Sequence, residues 1–554
     1  MTKLLRVLLV WLLTGASVQL WSQVTWDDLL NAAKEPQNWL TYSGTYMSQR
    51  YSTLSQITPE NVKNLSLAWV WQNKSLESFE ATPLVVNGVM YTVQPPNTAV
   101  ALDARTGRVY WTYVYDPSPA SRACCGWVNR GLAILGNTLY MGTLDQRLLA
   151  IDAKTGHLLW STQPEDAPSF VRGYSYTLAP LIVKDKVIVS SAGGEYGIRG
   201  YISAFNAKTG KEEWRFYTIP GPGEPGHETW GGDSWKLGGG SGWLTGSYDP
   251  ETNLIFWGIG NPSPDWNGDI RPGDNLYTCS VVALDADTGK LKWHFQFSPH
   301  NEFDYDSVQI PVLANIEWKG KPRKVMLWAN RNGFFYVLDR VTGQFLLGKA
   351  FVKVNWADGL DANGRPQLAP GKLPTAQGTL IMPGNQGGTN YYSPSFSPKT
   401  GLFYIPTWEN TSSLYVKSKI EYVPGQWYTG GGPREMTTPS GGDQDFKTKA
   451  EGYGAVRALD PETGDRKWEF PMSKVTNAGI LTTATDVLFS GGNEGYFYAL
   501  DARTGALLWR STVGGPIRSG PISYMVDGKQ YVTVNAGNAV FAYALDFRGG
   551  HGDE

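Results

Sequence analysis

The stretch Leu102–Trp111 reads LDARTGRVYW, and it returns along the chain as IDAKTGHLLW at Ile151–Trp160, FNAKTGKEEW at Phe205–Trp214 and LDADTGKLKW at Leu284–Trp293. Further copies are LDRVTGQFLL at Leu338–Leu347, LDPETGDRKW at Leu459–Trp468 and LDARTGALLW at Leu500–Trp509, with a degenerate one, FSPKTGLFYI, at Phe396–Ile405. Each copy is preceded by an alternating apolar run such as Val89–Val93 or Tyr496–Leu500, the pattern of a half-buried strand. The Asp/Asn-x-x-Thr-Gly segment predicts a tight turn, in which Gly takes a positive φ and Asp or Thr bonds local backbone. The chain then returns as a strand that ends on Trp. With the runs before each copy (Thr82–Val86, Leu178–Val183), the repeat predicts about four strands per unit.

The turn glycines stand at positions 107, 156, 210, 289, 343, 401, 464 and 505, so they are 41 to 79 residues apart. The shorter spacings suit four-stranded blades of about 40–50 residues. The longer ones predict inserted loops within Arg215–Asp285 and Gln344–Thr400. Radial repetition leaves few exposed sheet edges. The expected fold is therefore all-β, an eight-bladed β-propeller with long inserted loops, forming one domain over residues 24–554. The recurring Trp is expected to pack between neighbouring blades. A string of separate β domains would need linkers, and no long Ser/Pro-rich spacer is present.

Composition agrees. The chain has 64 Gly, 34 Pro and 23 Trp in 554 residues, a turn-rich and aromatic-rich profile rather than that of a long-helix protein. A net charge of −2, with no Lys/Arg run, excludes a nucleic-acid footprint. Lys3 and Arg6, the apolar run from Leu8, and the small residues Gly15, Ala16 and Ser17 predict a signal peptide over residues 1–23. The apolar stretch is shorter than the ~20 residues of a membrane span, and no later stretch is long enough. Without Lys3 and Arg6 the chain carries 46 basic and 50 acidic side chains. The expected compartment is the bacterial periplasm, which permits disulfides.

Chemistry-bearing residues fall between the repeats. Cys124 and Cys125 are adjacent. Their spacing leaves two readings open: a strained vicinal bridge, or a pairing of one of them with Cys279. Glu195 follows Gly193 and Gly194, where backbone can approach a ligand closely. Trp243 stands amid glycines, and Asn261 lies on a Gly/Pro turn. Asp304 and Asp306, at i and i+2 on an extended segment, point to one side. Two such acids repel unless a hard, oxygen-loving cation lies between them. The bland alternative for such a pair is a solvated turn.

These residues sit in CCGWVNRG, GGEYGIRG, GSGWLTGSYDP, GIGNPSP, NEFDYD and NRNGFFYVLDR. On those motifs and the Thr-Gly repeats, from about Trp26 to Phe547, the chain resembles the pyrroloquinoline-quinone (PQQ)-dependent alcohol dehydrogenases, the methanol and ethanol dehydrogenase quinoproteins. The resemblance implies a Cys124–Cys125 disulfide on one face of the quinone and Trp243 on the other. It implies Glu80, Arg130, Thr177, Gly193, Gly194 and, more loosely, Asn390 around the cofactor. Ala192 stands where the family often has Ser, and Asn477 stands where methanol enzymes carry a Trp. Glu195, Asn261 and Asp304 match the metal ligands, Asp304 also the catalytic base, and Arg331 the charged partner of the reactive carbonyl.

Asp306 departs from the calcium-type pattern and resembles the lanthanide-dependent branch, which implies a fourth metal ligand beside Glu195, Asn261 and Asp304. Three formal negative charges at Glu195, Asp304 and Asp306 suit a lanthanide(III) ion, with Ca²⁺ as the alternative. The implied activity is oxidation of a small primary alcohol to an aldehyde. Asp304 takes the hydroxyl proton, hydride passes to the quinone, the metal acts as Lewis acid, and Arg331 stabilises developing charge. No C-x-x-C-H motif is present, so the expected electron acceptor is a separate soluble periplasmic cytochrome c. Calcium-dependent ethanol oxidation, an aldehyde or sugar dehydrogenase on the same fold, and a non-enzymatic propeller scaffold are the alternatives. The alcohol preferred, and the choice between monomer and homodimer, stay open.

Overall fold

A computed structural model describes residues 23–164, 169–435 and 452–546; the segment read as a signal peptide, up to Ser22, lies outside them. The described chain is all-β apart from a five-residue helix, Trp26–Leu30, and short 3-10 turns. That helix starts at a capping box in which the Thr25 side chain accepts from the Asp28 N–H and the Asp28 carboxylate accepts from the Thr25 N–H.

The repeats become sheets as expected. The first copy lies in an antiparallel meander of Leu84–Val86, Val89–Gln94, Thr98–Asp103 and Val109–Val114. Among the described residues, eight sheets have four or more strands; one of three and one of two accompany them. The last large sheet joins the chain's two ends. Leu65–Gln72 pairs antiparallel with Ala539–Leu545, which continues into Lys529–Ala536 and Ile522–Val526. Its edge strand thus comes from nearly 470 residues away.

The Thr-Gly turn acts as the sequence predicts. In the second copy the Thr155 N–H donates to Asp152 Oδ1 at 2.8 Å, and the Gly156 N–H donates to the Asp152 carbonyl at 2.8 Å. Gly156 has φ +73°, a region that L side chains rarely occupy. The glycine has a second reason. The Trp ending each repeat lies over the turn glycine of the next: Trp111 over Gly156, Trp160 over Gly210, Trp214 over Gly289, Trp293 over Gly343 and Trp468 over Gly505. A Cβ at Gly156 would lie 2.6 Å from the Trp111 ring. The indole N–H completes the junction: Trp111 Nε1 donates to the Ala153 carbonyl and Trp468 Nε1 to that of Ala502, both at 3.0 Å. One motif therefore builds both the hairpin and the contact to its neighbour.

The insertions build a second layer. Between Leu402–Glu409 and Tyr453–Leu459, neighbours in one sheet, the chain leaves to form Ser413–Lys417, which pairs with Thr379–Ile381 on one side and with Gly431–Glu435 on the other. The segment between those two strands reaches the candidate site: the Tyr428 N–H donates to the Glu195 carbonyl at 2.6 Å and the Trp266 N–H to that of Thr429 at 2.9 Å. Part of the stretch 423–445 falls outside the described residues. The inserted loop 220–240 ends where the Gly240 N–H donates to the Asn261 carbonyl at 2.9 Å.

Candidate active site

The acids are gathered around one guanidinium. Arg331, 5% exposed, donates from Nη1 to Asp306 Oδ2 at 2.8 Å and from Nη2 to Asp304 Oδ2 at 3.0 Å. Its Nε and Nη2 also donate to the Asn385 carbonyl, at 3.0 and 2.6 Å. Asp306 accepts from the Asn261 N–H at 2.7 Å and from Trp243 Nε1 at 3.2 Å. Asp304, Asp306, Asn261, Trp243 and Arg331 are thereby one hydrogen-bonded unit drawn from four separate stretches of chain. Asp304 holds φ +55° and Cys125 φ +63°, left-handed conformations that non-glycine residues adopt at a cost of about 1–3 kcal/mol.

Glu195 enters on a short 3-10 turn, Gly194–Tyr196, capped by Gly193 at φ +108°. A Cβ on Gly194 would press to 3.3 Å from Asn261 Oδ1 and 3.2 Å from Ser241 Oγ, so this glycine lets the Glu195 turn lie against Asn261. Cys124 and Cys125 adjoin the same carboxylate: their sulfurs and a Glu195 oxygen lie within 4.8 Å of one another. The Cys124 and Cys125 sulfurs face each other at 2.8 Å; no bond joins them in the structure, a disulfide being about 2.03–2.05 Å long, and the pair lies where the expected vicinal bridge would form. Cys279 is buried and unpaired, which removes the other pairing.

On the far side of Trp243 from this network in sequence, Arg130 pairs with Glu80 at 2.8 Å, both side chains being under 10% exposed. Its guanidinium carbon lies 4.7 Å from the Trp243 ring centroid and 5.2 Å from that of Tyr391. Thr177 Oγ1 donates to the Trp243 carbonyl at 3.3 Å. Asn390 is buried, yet its amide is engaged locally: Nδ2 donates to the Gln386 carbonyl at 3.2 Å, and Oδ1 accepts from the Tyr391 N–H at 2.9 Å. Ala192 pairs by backbone with Ser175.

Burial dominates the electrostatics. Loss of solvent pushes Asp304 well above the ordinary carboxylate range; Arg331 opposes this, while Asp306 and Glu195 add to it. Burial likewise raises Glu195 and Asp306. For Arg331, burial lowers the pKa, but Asp304 and Asp306 outweigh it and leave the guanidinium more firmly protonated than usual. The bonded Cys125 thiol, then burial, raises Cys124.

Three buried oxygens in this cluster have no partner among the described residues: Glu195 Oε2, Asn261 Oδ1 and Asp304 Oδ1. They belong to three of the four residues expected as metal ligands; the fourth, Asp306, differs, because both its oxygens are engaged within the protein. Sequence reasoning did not single out Asn385, Tyr391 or Asp265. Asn385 acts through its carbonyl, which carries no side-chain signal. Asp265 directly follows the quoted GIGNPSP stretch, but spacing alone cannot distinguish a buried acid from a solvated one.

A repeat-built β fold whose insertions carry a buried acid–arginine cluster beside Trp243 and a cysteine pair defines a quinoprotein-type dehydrogenase site. The sequence matches the family described as PQQ glucose/ethanol/alcohol dehydrogenase, β-propeller domain, over residues 39–355 and 362–532. It is 40% identical over 551 residues to the quinohemoprotein alcohol dehydrogenase ADH-IIG of Pseudomonas putida, covering 94% of this chain and 76% of that protein. It is 38% identical to the quinoprotein alcohol dehydrogenase PedH of Pseudomonas putida, covering 96% and 91%. The structure superposes on a europium-containing methanol dehydrogenase with a TM-score of 0.86 at 35% identity, covering 94% of this chain and all of that one. The chain belongs to the PQQ-dependent alcohol dehydrogenase family.

Proposed function

We propose that this protein oxidises small primary alcohols to aldehydes, with PQQ and a bound metal ion in the site just described. The observation that carries this reading is the unpartnered set Glu195 Oε2, Asn261 Oδ1 and Asp304 Oδ1. Buried polar atoms are rarely left without a partner, and three oxygens of this kind are the donor set a hard cation takes. The residues thus fit the family's metal. When bound, the quinone supplies two-electron acceptor chemistry and the ion supplies Lewis acidity.

Glu195, Asn261 and Asp304, with Asp306 as the fourth residue of the site, would hold the ion. Arg331 grips Asp304 by Oδ2 and holds its carboxylate in place, and Asp304 is the residue assigned to take the alcohol's hydroxyl proton. Burial alone would keep Asp304 protonated; an adjacent cation favours its ionised, basic form. Arg331 also supplies positive charge where an oxyanion develops. Cys124, Cys125 and Trp243 are the walls for the planar cofactor. Glu80, Arg130, Thr177, Gly193, Gly194 and Asn390 are the polar and close-packing groups around it.

For the ion we favour a lanthanide(III) over Ca²⁺, because Glu195, Asp304 and Asp306 bring three formal negative charges. The engagement of both Asp306 oxygens within the protein favours the calcium-dependent runner-up. The eight large sheets are read as eight propeller blades in one domain, residues 24–554, after a signal peptide at 1–23. That reading places the enzyme in the periplasm, with a soluble cytochrome c as electron acceptor. Among the described residues no helix is long and apolar enough to cross a membrane.

The test is reconstitution of the apoprotein with PQQ plus either Ca²⁺ or La³⁺, with dye-linked assay of methanol, ethanol and longer primary alcohols. Oxidation of at least one of them supports the reading. Inactivity on all of them with both ions refutes it.

A further inference from the structure

We propose that Asp265 is an additional acidic residue of the ion site and tips its selectivity toward a trivalent ion. The inference rests on the metal reading above and goes beyond it by assigning a residue that the expected ligand set does not contain.

Asp265 is 1% exposed, and neither carboxylate oxygen has a hydrogen-bond partner among the described residues. Its position is fixed by Arg271, which is fully buried. Arg271 Nε donates to the Pro264 carbonyl at 3.1 Å, and its Nη2 donates to the carbonyls of Asp265 at 3.3 Å and Asn301 at 2.6 Å. The guanidinium therefore staples the 264–265 turn to the start of the Asn301–Asp306 segment. At the other end of that segment the Asn261 N–H donates to Asp306 at 2.7 Å. Residues 261–265 thus lie along residues 301–306, with Asp304 between the two attachments. Asn301 Oδ1 accepts from the N–H groups of Phe303 and Tyr305, both at 3.1 Å, which sets the turn that presents Asp304.

The Asp265 carboxylate accepts no hydrogen bond from a cation among the described residues, and Arg271 acts on it only by its charge. Arg271 directs its donors to carbonyls and to Asn275 Oδ1 at 2.8 Å, not to the Asp265 carboxylate. The neighbouring acid Glu302, equally buried, shows the contrast: Lys417 Nζ lies 3.3 Å and His300 Nε2 3.5 Å from its oxygens. A buried carboxylate without a partner is costly. Burial, then the charges of Asp304, Glu195 and Asp306, disfavour its ionised form, and Arg271 opposes them. A multivalent cation held by those three acids reverses that field. Asp265 then contributes a fourth carboxylate to the site, close enough to act on the ion by charge even where it is not itself a ligand. Coulomb attraction scales with ion charge, so one extra carboxylate favours a 3+ ion over a 2+ ion.

The test uses the full-length apoprotein and Tb³⁺, read by tryptophan-sensitised luminescence, with La³⁺ and Ca²⁺ as competitors; no activity is needed. For Asp265→Asn the expected loss of Tb³⁺ affinity is roughly 10- to 100-fold. Because the effect scales with charge, a 100-fold loss for Tb³⁺ pairs with about a 20-fold loss for Ca²⁺, so the Tb³⁺/Ca²⁺ preference falls. Asp265→Glu, which keeps the charge, retains most of the preference and serves if the Asn variant folds poorly. An unchanged preference in Asp265→Asn, equal losses for both ions, or a Glu variant as damaged as the Asn one overturns the proposal. Wild-type protein that binds neither ion overturns both this proposal and the metal reading beneath it, whereas tight wild-type binding with an unaltered Asn variant overturns this one alone.

Discussion

Arg331 Nη1 lies 2.8 Å from Asp306 Oδ2, with both side chains almost wholly buried. This pair, rather than the Asp304/Asp306 pair read from the sequence, organises the acids. The guanidinium neutralises part of their charge, holds Asp304 by one oxygen and leaves the other free. Removing one partner of a buried ion pair leaves an uncompensated charge and costs about 3–5 kcal/mol. Arg331→Met is therefore expected to lower the stability of the metal-free protein by roughly that amount in urea unfolding. It should also abolish alcohol oxidation. A variant as stable as the wild type would contradict the pairing.

Asp304→Asn keeps the shape of the side chain but removes its basicity. General-base catalysis typically contributes 10²–10⁴-fold, so kcat at saturating ion and quinone is expected to fall by about that factor. Quinone binding, followed by absorbance, should persist. Near-normal turnover would assign the base elsewhere.

Asp306→Ala removes one of the negative charges proposed to favour a 3+ ion. Activation by La³⁺ is expected to be lost, with less effect on activation by Ca²⁺. Parallel titrations of the apoprotein with both ions decide it: undiminished La³⁺ activation would count against the lanthanide assignment.

The buried acid Asp265 makes stability depend on pH. Burial, then Asp304, Glu195 and Asp306, raise its folded-state pKa well above the ordinary value. The native metal-free protein therefore binds this proton more tightly than the unfolded chain does. Its favourable contribution is complete below about pH 4, the unfolded value, and is lost as pH rises toward the folded value. Asp265→Asn removes that loss. The Tm difference, variant minus wild type, should become more positive between pH 4.5 and pH 7.5 in metal-free protein. A flat difference in differential scanning fluorimetry would refute it.

Gly156→Ala tests the repeat junction. The position holds φ +73°, and a Cβ would meet the Trp111 ring at 2.6 Å. The left-handed backbone costs an alanine about 1–2 kcal/mol. With the displaced indole, a total loss of roughly 2–4 kcal/mol is expected, read as a lower urea midpoint. Gly136→Ala makes the comparison: φ is +64° there, but nothing lies within 4 Å of the added Cβ, so the loss should be smaller.

The sequence was most legible where its signals were local. Asp152, Thr155 and Gly156 lie within one turn, so their spacing reports their geometry, and the Trp-terminated strands followed. The motifs around Glu195, Asn261 and Asp304 were legible as separate stretches through their likeness to a family. Adjacency brought Cys124 and Cys125 together, but it does not determine whether two touching sulfurs are bonded.

Alternation, turn chemistry and repeat period, all encoded within about ten residues at a time, determined the β architecture and the candidate acids. What only the tertiary structure decided is which of those acids is paired, with what, and which is not. Arg331 reaches Asp304 and Asp306, Asn261 reaches Asp306, and Asp265 reaches no cation, because separate insertions are brought together only when the sheets have packed. Burial and partnership are properties of that packing, and they, rather than residue type, decide whether an aspartate is a solvated turn, a base or part of an ion site.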